Sequence, residues 1–412
     1  MTIILLCLVA MGFVSIVIED VVHINKAKTT LFFGSLVWML YFILPISHHS
    51  AAERISLLNE NLLDVATLWL FLMAAMTFVA YLSAKGIIEA LVSRLMPTQV
   101  SERKLMYLTG LFGFVFSSFA DNITATLVCI SFLMSLRLDA DRLMRYLVLI
   151  IFSVNAGGAA LITGDVTTLM IFLAGKVSIP NLMLISVPAF AAVMVLAFVL
   201  SRPLKEQLSF SKTVTRLSRG DKLVTGLFML TILGTLLLNV SFGIPPVLCF
   251  LFGLSMMFLV VQFLNRDEEV LEYVRHIEFD TLLFFLGVLL LVGMLKELQV
   301  LDYFPMLYQI VPVWLANFLM GMVSSLLDNV PLTAALLKSG IDMGLADWLT
   351  LTYSVGVGGS LLVIGSAAGV VAMSKIEILT FGRYLKFSGH LLIAYAIGFA
   401  AVTGMGWLIT HA

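Results

Sequence analysis

The chain has 412 residues, of which 61% are hydrophobic and only 12% are Lys, Arg, Asp or Glu. That charged share is about half of what soluble domains carry, too small to cover a water-facing surface, and it excludes a soluble enzyme and intrinsic disorder alike. A formal net charge of −1 gives no electrostatic case for nucleic acid, and Cys7, Cys129 and Cys249 stand too far apart in sequence for a disulfide framework or a CxxC metal site.

What remains is an all-α polytopic membrane protein. About 20 apolar residues cross a bilayer core as a helix, which predicts spans near 2–18, 29–46, 65–84, 146–175, 181–201, 223–241, 246–264, 281–296, 348–373 and 388–410. The first has no basic segment before it and is followed by Glu19 and Asp20, so it reads as a span rather than a signal peptide. A Gly-Ile-Pro-Pro turn at 243–246 separates two neighbouring spans. Two further apolar segments, 105–134 and 314–340, are interrupted by SSFADNITAT and SSLLDNVPLT. Each is long enough for two half-helices, and both read as re-entrant helical hairpins. Irregular backbone is tolerated at membrane depth only where it lines a cavity or lies buried in protein, so the tips are expected at a binding site. With ten spans, two hairpins and an outside N-terminus, 20 of the 24 Lys and Arg fall in inside loops, leaving Arg54, Lys176, Lys296 and Lys338. Both termini are therefore expected outside.

The two halves match in order. TLWLFL at 67–72 pairs with TLLFFL at 281–286, SSFADN at 117–122 with SSLLDN at 324–329, and SVNAGG at 153–158 with SVGVGG at 354–359. Under the layout above the matched spans run in opposite directions, which makes them inverted-topology repeats, each with a re-entrant hairpin and a broken transmembrane helix. The first repeat is 1–202 (hairpin about 105–134, broken helix about 146–175). A basic cytoplasmic linker follows at 203–222, then the second repeat at 223–412 (hairpin about 314–340, broken helix about 348–373). An old duplication in a channel or structural protein would also leave such a pattern, and the chemistry at the matched positions decides against it.

Asp121-Asn122 and Asp328-Asn329 stand at equivalent tips. An ionised Asp near the bilayer centre costs at least about 2.5–3.5 kcal/mol and persists only with a partner, a cavity or a cation. No Lys or Arg lies within ten residues of Asp121 or within nine of Asp328, which points to a mobile counter-charge. Sodium, a hard cation, takes carboxylate, amide, hydroxyl and carbonyl oxygens. The tips offer them in Asp121, Asn122, Thr124 and Thr126, and in Asp328, Asn329 and Thr333, with Ser117, Ser118, Ser324 and Ser325 about one turn earlier. The alternative is that these Asp and Asn only cap the second half-helices; the two roles are compatible. In NAGGAALITGDVTTLM at 155–170, Gly157, Gly158 and Gly164 allow a break whose second half is capped by Asp165, Thr167 and Thr168. Ser153 and Asn155, with Gly358 and Gly359 in the second repeat, support the same region, and Ser366 stands where the first repeat has Asp165. His23, His48, His49, His276, His390 and His411 form no catalytic set, and Lys85, Lys296 and Lys338 are expected to snorkel to the interface.

At these motifs the sequence resembles the NhaD-type sodium/proton antiporters of the ion transporter superfamily. The likeness runs through EDVVHINKAKTTLFFGSLVWMLYF, FADNITAT, NAGGAALITGDVTTLM, FFLGVLLLVGMLKEL, SSLLDNVPLTAAL and GGSLLVIGSAAGVVAM. The resemblance implies exchange of Na⁺ or Li⁺ for H⁺ across a bacterial inner membrane, and a fold related to the dicarboxylate and arsenite transporters. Carried over by position, the functional residues are Asp121, Asn122, Thr126, Asp165, Asp328, Asn329 and Thr333, with Na⁺ at Asp121, Asn122, Asp165, Asp328 and Asn329. Antiport follows if ion and proton compete for these carboxylates. No cofactor and no ATP are expected, since no GxxxxGK[ST] occurs. Membrane lipid is the expected surrounding and a homodimer is compatible with the class. The first rival is a Na⁺- or H⁺-coupled anion permease of the same superfamily, which paired Asp tips disfavour by repulsion. An intramembrane enzyme lacks a nucleophile and base in the core, and only turnover and saturation separate a carrier from a channel.

Overall fold

The computed structural model of the protein describes residues 2–17, 24–44, 50–88, 90, 99–134, 136, 138–209, 218–264, 268–275, 277, 279–326 and 328–411. Glu19, Asp20, His23, His48, His49, His276 and part of the linker, 210–217, lie outside them. The chain opens with α1 (Thr2–Val17) and α2 (Lys26–Ile43), then the 34-residue α3 (Ala51–Ala84). A capping box starts α3: Ser50 Oγ accepts from the Glu53 amide and the Glu53 carboxylate accepts from the Ser50 amide. This helix runs 14 residues further back than the predicted span at 65–84, because Arg54, Glu60 and Asp64, which bounded the apolar window, sit comfortably in its polar first turns.

Strand β1 (Gln99–Ser101) leads into α4 (Glu102–Phe119) and α5 (Asn122–Met134), which meet at Ala120-Asp121. Next come α6 (Ala140–Gly158), α7 (Val166–Leu173), α8 (Ile179–Ser201) and strand β2 (Gln207–Ser209). The second half has α9 (Arg219–Phe242), α10 (Pro246–Leu264), α11 (Leu271–Arg275), α12 (Phe279–Glu297), α13 (Tyr303–Ile310), and then α14 (Val313–Ser324) and α15 (Asn329–Lys338). It closes with α16 (Leu345–Gly358), a 3-10 turn at Gly359–Leu361, α17 (Ala367–Lys375), α18 (Phe381–Leu385) and α19 (Ser388–His411). Both predicted hairpin segments and both predicted broken helices are thus helix–break–helix units. Between α9 and α10, Gly243 adopts φ 66°, the left-handed cap that the Gly-Ile-Pro-Pro turn needs.

Among the described residues six helices are long and apolar enough to cross a membrane: α3, α8, α9, α10, α12 and α19. The other expected spans are the 16-residue α1, α2 with its two lysines in the first turn, and the two interrupted helices. The outer surface is apolar: Phe263 is 86% and Ile310 81% exposed, values that fit lipid rather than water as the neighbour. The molecule is a multi-pass membrane protein.

Two features depart from the sequence reading. β1 and β2 pair antiparallel, Gln99 opposite Ser209, in segments expected as plain loops. Beneath them the buried Glu102 carboxylate accepts from Arg142 Nη1 at 3.1 Å and from the Glu206 amide at 3.1 Å. Arg142 also reaches Asp139 and Glu206, each at 2.5 Å. The Arg142 amide and guanidinium hold the Asp139 carboxyl below the usual carboxylate range. The three lysines expected to snorkel are ion-paired instead: Lys85 with Glu268 at 2.7 Å, Lys296 with Glu60 at 3.3 Å and Lys338 with Asp64 at 3.3 Å, Lys338 also donating to Asn61. Their partners lie far off in sequence, so a local reading had no access to them.

Candidate ion site

The break of the first interrupted helix, the first turns of α17 and the tips of both paired helices surround a cavity of about 250 Å³. Asp121, Asn122, Asn155, Asp165, Asp328 and Asn329 all line it. Each aspartate stands at the start of a helix. Asp121 Oδ1 and Oδ2 accept from the Thr124 amide at 2.8 Å and its hydroxyl at 2.7 Å. Asp165 Oδ1 accepts from the Thr167 amide at 3.2 Å and Oδ2 from the Thr167 hydroxyl at 2.9 Å. Asp328 Oδ1 accepts from the Val330 amide at 3.3 Å. Capping is therefore a role of all three, and the positive end of a helix dipole helps to hold each negative charge at the cavity wall.

Each half is held together here by bonds equivalent to those of the other. Ser117 Oγ donates to the Val154 carbonyl at 2.8 Å, and Ser324 Oγ donates to the Val355 carbonyl at 2.8 Å. Thr126 Oγ1 donates to the Asn122 carbonyl at 2.7 Å, and Thr333 Oγ1 to the Asn329 carbonyl at 2.8 Å. Gly157 abuts the Phe114 carbonyl so closely that a Cβ would lie 2.1 Å from its oxygen; Gly358 abuts Gly321 with the same 2.1 Å. Only glycine permits either approach. Across the halves, Asn329 Nδ2 donates to Asp165 Oδ2 at 3.3 Å, and Asn155 Nδ2 to Ser366 Oγ at 3.1 Å. Ser366 caps α17 by accepting from the Gly369 amide at 3.3 Å, as Asp165 caps α7.

The remaining predicted residues divide by what they touch. Asn122 meets Ser117, and with its amide nitrogen turned inward donates to Ser117 Oγ at 2.8 Å, Gly164 O at 3.1 Å and Val154 O at 3.2 Å. Ser118 donates to the Gly157 carbonyl at 2.9 Å. Ser153 and Ser325 bond back within their own helices, to Ile150 and Met322. Gly158 lies against Asn122 and Asp165, Gly164 against Ser117, and Gly359 against Gly365. Asn155 Oδ1 and Thr168 Oγ1 are buried without a hydrogen-bond partner, an oxygen surplus of the kind a cation relieves. Among the described residues no three carboxylates, imidazoles or thiols gather as one metal group, so Asp121, Asp165 and Asp328 do not form a single cage.

The expectation of a purely mobile counter-charge needs correcting. Lys26 Nζ lies 3.2 Å from Asp328 Oδ2, with side chains 21% and 10% exposed. Neighbouring Asn25 caps α2 and donates to Asp280 Oδ2 at 2.7 Å, and Asp280 also faces the cavity. A sequence window around Asp328 could not reveal a partner 302 residues away; the one available signal was a lysine opening an apolar helix.

The profile of the citrate transporter family matches residues 1–356. The chain is 32% identical to the Na(+)/H(+) antiporter NhaD of Vibrio cholerae, over 95% of this chain and 89% of the relative. It is 33% identical to NhaD of Vibrio parahaemolyticus, over 92% and 98%. The chain belongs to the NhaD-type sodium/proton antiporter family. A plant relative, sodium/proton antiporter 1 of Arabidopsis thaliana, is 28% identical over 96% of this chain and 71% of its own length. For an NhaD-type chain the cavity is chemically apt: four carboxylates, four side-chain amides and one lysine face it, a net negative lining suited to small cations.

Proposed function

We propose that the protein exchanges Na⁺ or Li⁺ for H⁺ across a bacterial inner membrane by alternating access, with ion and proton competing for the Asp carboxylates of the cavity. The observation that carries this reading is the buried Asp165, which joins the first half's break to the second half's tip through Asn329. A carboxylate there is neutralised equally by a proton or by a cation, and empty it is costly to carry across a low-dielectric interior. Compensated crossings are favoured and the uncompensated one is suppressed, which is the condition for exchange. The Vibrio relatives, both known as Na(+)/H(+) antiporters, support the same chemistry.

The matched Ser-to-carbonyl bonds and the two glycine contacts support inverted repeats, each with a re-entrant hairpin, and the excess of basic residues in one set of loops supports both termini outside. A second reading, an anion permease, is favoured by the family's description as citrate transporter. The aspartates facing the cavity oppose it by repulsion. Everted vesicles from cells without their own sodium/proton antiporters test both. Respiration acidifies them, and a pH-sensitive dye follows proton release on adding NaCl, LiCl or KCl. Dequenching with Na⁺ or Li⁺ is expected. No response between pH 6 and 9.5, with citrate or dicarboxylate uptake instead, would overturn the antiport reading.

A further inference from the structure

We propose that Lys26 is a built-in competitor for the transported cation: its ammonium holds Asp328 while no sodium is there, and sodium gains that carboxylate by displacing it. The inference rests on the antiport reading and adds a residue that sets ion affinity. Lys26 is the first residue of α2, where the positive end of the helix dipole disfavours a cation. Among its contacts are Asp328 Oδ2 at 3.2 Å and the face of Phe284, 4.7 Å from the ring centroid. The ring keeps part of the ammonium's stabilisation when the carboxylate is taken, so displacement has somewhere to end.

The pair also has a telling location. A second cavity of about 290 Å³, walled by apolar residues such as Leu295, Phe304 and Leu332, meets the ion cavity at Lys26, Asp328 and Val370. Among the described residues no other Lys or Arg lines either cavity. The partition between them is thus an ion pair, and a cation that binds Asp328 must open it. Lysine suits this task better than arginine, because a single-point ammonium on a flexible stem is released more readily than a bidentate guanidinium.

The full-length protein, in everted vesicles and purified for sodium titration, tests the proposal through an order of affinities. K26Q and K26M, which remove the competitor, are expected to lower the half-saturating Na⁺ concentration on the order of tenfold. K26R, a stronger competitor, is expected to raise it by several fold. A merely structural lysine would give the reverse pattern, with arginine near the wild type and the neutral variants impaired. An unchanged or raised half-saturation in K26Q and K26M overturns the proposal. If neither neutral variant reaches the membrane, K26R decides alone: a value equal to or below the wild type overturns it. Failure of the wild type to exchange ions overturns the antiport reading instead, and the same order of sodium affinities in the purified proteins still reports on Lys26.

Discussion

Replacing Asp165 with Asn separates the ion-binding role of this residue from its capping role. The change keeps the shape and removes one charge. In one amide orientation the new NH₂ faces Asn329 Nδ2, now 3.3 Å from Asp165 Oδ2; in the other it faces the Thr167 amide, now 3.2 Å from Oδ1. Either way one donor loses its acceptor, a cost of about 1.5–3 kcal/mol for a bond to a charged group. Against this, a carboxylate that is only 6% exposed no longer has to be kept ionised away from water, which offsets a loss of similar size. Thermal stability of D165N is therefore expected within a few degrees of the wild type. Ion affinity is another matter. A unit charge about 4 Å from a cation contributes about 4 kcal/mol at an effective dielectric near 20, which corresponds to roughly a thousandfold in affinity. D165N should therefore fail to dequench the dye at millimolar Na⁺ or Li⁺ while remaining folded in the membrane. A D165N protein that exchanges Na⁺ with near-wild-type half-saturation would refute the assignment.

Three further outcomes follow from the packing. G157A and G358A each force a Cβ to 2.1 Å from a backbone oxygen, so the helices must part by more than about 1.3 Å to reach ordinary contact; both are expected to lower the melting temperature and transport together, whereas G226A, with open space at its Cβ, changes neither. S117A and S324A each leave a buried carbonyl, Val154 or Val355, without its 2.8 Å donor; melting should show matched losses of about 1–3 kcal/mol, and a large difference between them would break the equivalence of the halves. R142A strips the partner from Glu102, whose side chain is 1% exposed, and since Arg142 itself is 24% exposed the loss should be near the lower end of the range for such pairs, about 3 kcal/mol. The Asp139 share of this effect has a definite sign: its lowered carboxyl stabilises the fold above the ordinary carboxylate range and ceases to as pH falls through the depressed value. The Asp139 contribution to the wild-type advantage over R142A should accordingly be constant from pH 6 to 9 and shrink only in acid.

Much of the architecture was legible because apolar length and broken periodicity are local signals. The boundary at Pro246–Leu264 coincides with the predicted span, and the polar interruptions at Asp121-Asn122 and Asp328-Asn329 fall where helices stop and restart. Offsets of 207 and 201 residues between the halves predict that Ser117 with Val154 should recur as Ser324 with Val355, and the two bonds have the same length. Illegible were the pairings that no window spans: Lys26 with Asp328, Lys338 with Asp64, Glu102 with Arg142, and β1 with β2. Each joins residues 40 or more positions apart, and in each the energetics depend on burial, which charge counting cannot see.

The lysine also gives sense to the asymmetry between the halves. The first half carries two cavity aspartates in its motifs, Asp121 and Asp165; the second carries Asp328 and has Ser366 where a second carboxylate would stand. A two-fold arrangement of the motifs would add a further carboxylate to the four that already face the cavity, at an added desolvation cost. Replacing one by Ser366, which still caps α17 and accepts from Asn155, preserves the helix start and removes the charge. Placing Lys26 against Asp328 then leaves the second half's tip neutral and the first half's Asp165 held by hydroxyl, amide and backbone donors. The two halves thus share a frame of caps, glycine contacts and serine–carbonyl bonds, while the charges laid on it differ. On the proposed reading, competition between a fixed and a mobile cation would be confined to one tip, and Asp165 on the opposite half would be the seat of proton–ion exchange.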